Sequence, residues 1–195
     1  MISNLVLSCN FKGKDKEEEF YLNEEITSYV KAFKSDANKR NVFLGSDVTI
    51  AFSKGKGSIM YNGTRAIGLC KPSSREVLIE DYQWNFLNST ARKMLIFHEL
   101  GHCLISRKHE DSYLKITNYP GVVQVPASFM HRGLPQQTDT NFFIFKFIDE
   151  NWSSFTDELM HNDLNAVKNL GELVYVSTNE LIYRPYEEEN DFIFD

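Results

Sequence analysis

The spacing of three histidines constrains this chain more than any other feature. His98 and His102 lie four residues apart, and His109 follows seven residues later in "FHELGHCLISRKH". On a helix an i,i+4 pair projects from one face about a turn apart, so both imidazoles can converge on one cation. Glu99, one step round from His98, is poorly placed to ligate that cation but can reach a water bound to it. An uninterrupted helix rises 1.5 Å per residue and would carry His109 about 10 Å past His102, whereas zinc–nitrogen bonds are about 2 Å. A three-histidine site therefore requires the helix to stop near Ile105–Arg107 and the chain to turn back. "SRKHEDS" holds no glycine for a left-handed cap, so Ser106 or Lys108 must manage the turn.

Such a donor set suits metal-assisted hydrolysis. Zinc lowers the pKa of its water to about 7, Glu99 takes the proton, and the same carboxyl returns it to the leaving amine. Three of the five histidines fall within twelve residues, and Glu99 sits among apolar neighbours where an unpartnered charge is costly. Two alternatives stand beside this reading. Asp157 or Glu158 in "FTDELMH" would serve as the third ligand in place of His109. A closed site with Glu110, Asp111 or His131 as fourth ligand would instead make the metal structural, and the chain a non-catalytic envelope lipoprotein that binds.

The net charge of −6, with no dense basic run, excludes nucleic acid as the main partner. No apolar stretch approaches the roughly 20 residues that span a bilayer. Val6-Leu7-Ser8 leading into Cys9 resembles a bacterial lipobox with a shortened signal peptide before it. The expectation is a tether or signal-peptide remnant over residues 1–19, membrane anchoring through lipidated Cys9 and a cell-envelope or extracytoplasmic location; the alternative is a short apolar first strand or a floppy terminus. Cys70 and Cys103 then either pair in an oxidising space or remain two buried thiols.

Apolar residues at Phe20, Ile26, Val30 and Phe33 predict an amphipathic helix. "SDVTIAFS" and "REVLIEDYQW" read as strands, and "GKGSIMYNGTRAIGLCK" as a hairpin turning at "NGT". Asn88, Ser89 or Thr90 caps the helix that carries the histidines. The prolines and glycines of "TNYPGVVQVPASFMHRGLP" favour loop. "NFFIFKFIDE" reads as a strand or buried run, "SSFTDELMHNDLNAVKNL" as helix, and the last 25 residues as a small hairpin with an acidic tail.

"FHELGHCLISRKH" followed by "ASFMHRG" resembles the metzincin zinc peptidases, whose motif HExxHxxGxxH precedes a methionine-containing turn. It is more similar still to a group of metallopeptidase-type lipoproteins of Bacteroidetes. These carry "FHELGHC", a third histidine one residue later, and a downstream "SIM". The similarity spans roughly residues 20–160, though only the HELGHC core and the Met turn are specific. Here Ser106 stands where those sequences have Gly, and Phe129 replaces the Ile of "SIM". The resemblance implies that His98, His102 and His109 bind one catalytic Zn2+, that Glu99 is the general base and that Met130 is the Met-turn residue. It implies that Val77, Leu78, Ile79, Glu80 and Asp81 form an edge strand that pairs with an extended peptide or protein substrate, although the same residues suit an internal strand equally. The implied fold is α+β, zincin-like: a small twisted mixed sheet, an N-terminal helix, an active-site helix, a Met turn and a C-terminal helix. The catalytic domain would span 20–170, with 171–195 as an extension.

Overall fold

In the computed structural model, which describes residues 24–175 apart from 46, 62, 120 and 134–141, the first amphipathic segment forms helix α1 (Glu24–Lys39). Ile26, Phe33 and Ala37 are buried on one face, at the seven- and four-residue steps of a helical stripe. Phe33 meets Phe97 edge-on at 5.2 Å between ring centroids, which docks α1 on the histidine helix. The expected tether with Cys9, and the tail beyond residue 175, lie outside the described residues.

β1 (Thr49–Ser53) follows, and then a two-stranded hairpin of β2 (Met60–Tyr61) and β3 (Thr64–Arg65). Gly63 within its turn has φ 84°, a conformation that glycine adopts without steric cost. The next strands, β4 (Gly68–Lys71) and β5 (Glu76–Glu80), join β1 in a three-stranded sheet ordered β1-β5-β4. β1 runs parallel to β5 and β4 antiparallel to it, giving the expected mixed sheet. The strand expected over "REVLIEDYQW" ends at Glu80, because Asp81–Trp84 forms a single helical turn, α2.

Helix α3 (Ser89–Ile105) packs against this sheet. Asn88 caps it by accepting the Ala91 N–H at 2.8 Å. Every residue from Met94 to Gly101 is buried, so this stretch is a core helix enclosed on all sides rather than an amphipathic one. A disulfide between Cys70 and Cys103 bonds α3 to β4 and settles the choice left open for these two cysteines. Such bonds persist in oxidising compartments. Among the described residues, no helix is long and apolar enough to cross a membrane.

Two expectations after residue 110 need correction. The proline- and glycine-bearing stretch is loop only over 127–132: before that it forms β6 (Tyr113–Tyr119) and β7 (Gly121–Pro126), antiparallel and irregular in register between Ile116 and Tyr119. Pro126 ends its strand, where no ladder hydrogen bond is lost, and Ile116, Val123 and Val125 supply the β-branched residues. "NFFIFKFIDE" is not a strand but helix α4 (Phe142–Glu150). Its buried residues Ile144, Phe145, Phe147 and Ile148 fall at helical spacing, a pattern that a continuous apolar run conceals.

Helix α5 (Trp152–His161) stops at Asn162, which adopts left-handed φ 55°. Two short turns then lead into β8 (Glu172–Val174), which completes a second sheet ordered β7-β6-β8. The described chain is thus α+β, with α3 as its central helix.

Candidate metal centre

The histidine site begins with the way α3 ends. Ser106 takes left-handed φ 54° and ψ 33°, and the N–H groups of Ser106 and Arg107 both donate to the Gly101 carbonyl. A non-glycine residue there costs about 1 kcal/mol, so the surrounding structure has to impose the turn. The chain reverses at Ser106, as the three-histidine site demands. Beyond the turn, the Glu110 N–H donates to the Met130 carbonyl at 3.0 Å, which lays the segment after His109 along the Met130 loop.

The reversal also orients a candidate ligand. His102 Nδ1 donates to the Arg107 carbonyl at 2.7 Å, and His98 Nδ1 donates to the Phe129 carbonyl at 2.7 Å. With both Nδ1 hydrogens so engaged, the lone pairs reside on the Nε2 atoms. His98 Nε2 lies 3.0 Å from His102 Nε2, which lies 3.2 Å from His109 Nε2. Two nitrogens on one tetrahedral zinc stand about 3.3 Å apart. Lone pairs converging at that spacing repel one another unless a cation lies between them, so the donor set fits such an ion.

Burial supports the same protonation state. Desolvation, reinforced by the neighbouring histidines, holds His98 well below the usual imidazole range. Desolvation lowers His102 as well, and it brings His109 down to about 3 with help from His102 and Arg132. All three are therefore neutral near pH 7, the form that ligates metal.

Glu99 is fully buried beside this centre. β4 passes directly over it: a Cβ placed on Gly68 would overlap the Glu99 carboxylate and lie 2.8 Å from Leu95 Cδ1. Gly68→Ala is expected to displace the Glu99 carboxyl while leaving the affinity of the three histidines for an added divalent metal unchanged. A metal titration of the variant beside the parent protein, with a structure of the variant, checks both halves. Under the helix, Met130 fills the gap at Gly101, where a Cβ would come within 2.6 Å of Met130 Sδ. Met130 therefore packs beneath the ligand helix.

One buried ion pair organises the surroundings. Arg107 pairs with Glu158 at 2.7 Å and donates to the carbonyls of Glu158 (2.8 Å) and Leu159. The other Glu158 oxygen accepts from the Ser128 hydroxyl, which itself accepts the Met130 N–H at 2.9 Å. Burial pushes the Glu158 carboxyl up, against the pull of Arg107 and Ser128. Glu158 is thus committed to Arg107 rather than to a metal. Asp157 is committed too, pairing with Arg40 at 2.5 Å.

The fourth-ligand candidates have other partners as well. Glu110 accepts from Ser112, Asp111 pairs with Arg132 at 2.8 Å, and His131 accepts the Gly133 N–H on Nδ1 and packs on the Tyr113 ring at 4.6 Å, while its Nε2, buried without a hydrogen-bond partner, falls outside the histidine cluster. Among the described residues, His98, His102 and His109 form the one group of His, Cys, Asp or Glu whose ligand atoms cluster around a single point.

The strand assigned to substrate needs correction. Val77 through Glu80 belong to the central strand of their sheet, paired on both edges, and Val77 and Ile79 are fully buried. Glu80 accepts from the Gly57 and Ser58 N–H groups, and Asp81 from Gly55 at 2.8 Å. No backbone group of this strand is left for a peptide, and the terminal strand beside Glu99 is β4. Gly68, Arg107 and Ser128 escaped sequence reasoning, since none carries a motif. The unusual left-handed turn required of Ser106 was the one signal pointing to Arg107.

No family model matches this chain, nor does any curated protein or solved structure. The His triad stands on its own geometry.

Proposed function

We propose that this protein is a zinc-dependent, metzincin-like peptidase that cleaves extended peptides. The observation that carries the reading is the convergence of three Nε2 atoms within 4.8 Å, beside a buried glutamate and above Met130, with no fourth side-chain ligand among the described residues. Three protein ligands and an open position distinguish catalytic zinc sites from closed structural ones. That difference favours the enzyme over a binding protein with a structural metal.

Zinc held by His98, His102 and His109 would supply Lewis acidity, polarising a carbonyl and lowering the pKa of water at its open position to about 7. Glu99, buried between α3 and β4, takes a proton from the attacking water and returns it to the leaving amine. The carbonyls of Phe129 and Arg107 hold two of the imidazoles in the required tautomer. The outer edge of β4, unpaired with any strand among the described residues, offers backbone donors and acceptors to an extended chain. The disulfide supports an oxidising compartment, with lipidated Cys9 as the anchor.

Purified protein is expected to hold one zinc per chain, to cleave members of a broad peptide library, and to lose and regain that cleavage on chelation and zinc return. His109→Ala should weaken zinc binding by more than the roughly 10–100-fold typical of outer-shell changes. Zinc-loaded protein that cleaves nothing in the library would favour the structural-metal reading.

A further inference from the structure

A cavity of about 370 Å³ opens on one flank of the metal centre, and its composition points to what the peptide must carry. His102 and His109 line it together with Leu69 and Cys70 of β4, Pro72 just beyond that strand and Tyr61 of β2. Tyr61 is a large aromatic that remains 46% exposed while lining this concave site. Leu69, Pro72 and the disulfide-bonded Cys70 add apolar surface. The one ionic side chain in the lining, Arg107, has its guanidinium tied to the Glu158 carboxylate and two carbonyls, so it presents little charge to a ligand. A cavity of about 150 Å³ lined by apolar side chains already holds benzene, so this one has room for a phenyl ring or a branched aliphatic chain.

Strand direction decides which residue enters. Gly68 lies over Glu99, which puts the reacting bond near the start of β4, while the cavity lies toward its end at Leu69–Pro72. A peptide paired antiparallel to β4, the more stable arrangement per residue, runs from the Pro72 end toward Gly68. The side chain reaching the cavity then belongs to a residue on the N-terminal side of the scissile bond.

We propose that this cavity is a specificity pocket for a bulky apolar or aromatic side chain on the N-terminal side of the cleaved bond, with Tyr61 as its selecting wall. The proposal rests on the peptidase reading and on an open metal position. A test that needs no turnover uses N-acylated amino-acid hydroxamates, whose terminal group binds zinc while the single side chain faces the N-terminal side. Glycyl, aspartyl, leucyl and phenylalanyl compounds would be titrated onto the zinc-loaded protein.

Phenylalanyl and leucyl compounds are expected to bind about tenfold or more tighter than glycyl. Tyr61→Ala is expected to remove most of the phenylalanyl advantage. Equal affinities across the four would overturn the pocket while leaving the metal centre intact, as would a preference for the aspartyl compound. Unchanged discrimination in Tyr61→Ala would overturn the role of Tyr61. If none of the four binds, the open metal position is wrong and the pocket falls with it.

Discussion

Glu99→Gln is expected to retain one zinc per chain and to lose about 10²–10⁴-fold in kcat/KM, the range that a positioned acid–base group contributes. The amide is nearly isosteric with the carboxyl, so the fit of this side chain under Gly68 survives the change. What disappears is the ability to accept a proton. Elemental analysis and peptide cleavage measured on the same preparation separate the two effects. A variant that loses zinc as well would place Glu99 among the ligands. A variant that cleaves at the wild-type rate would remove it from the chemistry altogether.

Glu158→Leu is expected to cost about 3–5 kcal/mol, because it strands the Arg107 guanidinium in the interior without its counter-charge. For a chain of this size that corresponds to a fall of about 6–20 °C in Tm. The damage should extend to the metal site. Arg107 lies between His102 and His109, its carbonyl orients His102, and Glu158 also holds Ser128 beside the Met130 loop. Zinc affinity is therefore expected to fall together with Tm. Adding Arg107→Met should recover most of the lost stability, since replacing a whole buried pair with apolar residues is often nearly neutral. Thermal unfolding of the two variants in the metal-free state checks this. A loss below about 1 kcal/mol in Glu158→Leu would show that the ion pair does not hold the turn.

The two corrected elements explain where sequence reading stops. In residues 142–150 apolar side chains are so dense that a strand and a helix predict nearly the same hydrophobic string, and only packing against α3 and α5 chooses between them. In β6 and β7, Gly121 and Pro126 look like loop punctuation when read singly. Both fall at strand ends, where they disturb little. The misplaced substrate strand has a related cause. β5 is the more apolar and more regular strand, and that is the mark of a central strand, whereas the four-residue β4 beside Glu99 carries little pattern of its own.

By itself the sequence determined the core of the centre. A four-residue histidine spacing is a property of any helix, and the rise per residue then requires the chain to reverse before His109; both arguments are local and need no knowledge of the rest of the molecule. Tertiary structure decided everything that arrives from a distance. Glu158, 51 residues beyond Arg107, holds the reversal, Phe129 turns His98 from 31 residues away, and Cys70 reaches across 33 residues to bond α3 beside its second histidine. A periodicity encodes which face of a helix an imidazole occupies. It does not encode which strand or helix packs against that face, because such neighbours are chosen by the burial of the whole core.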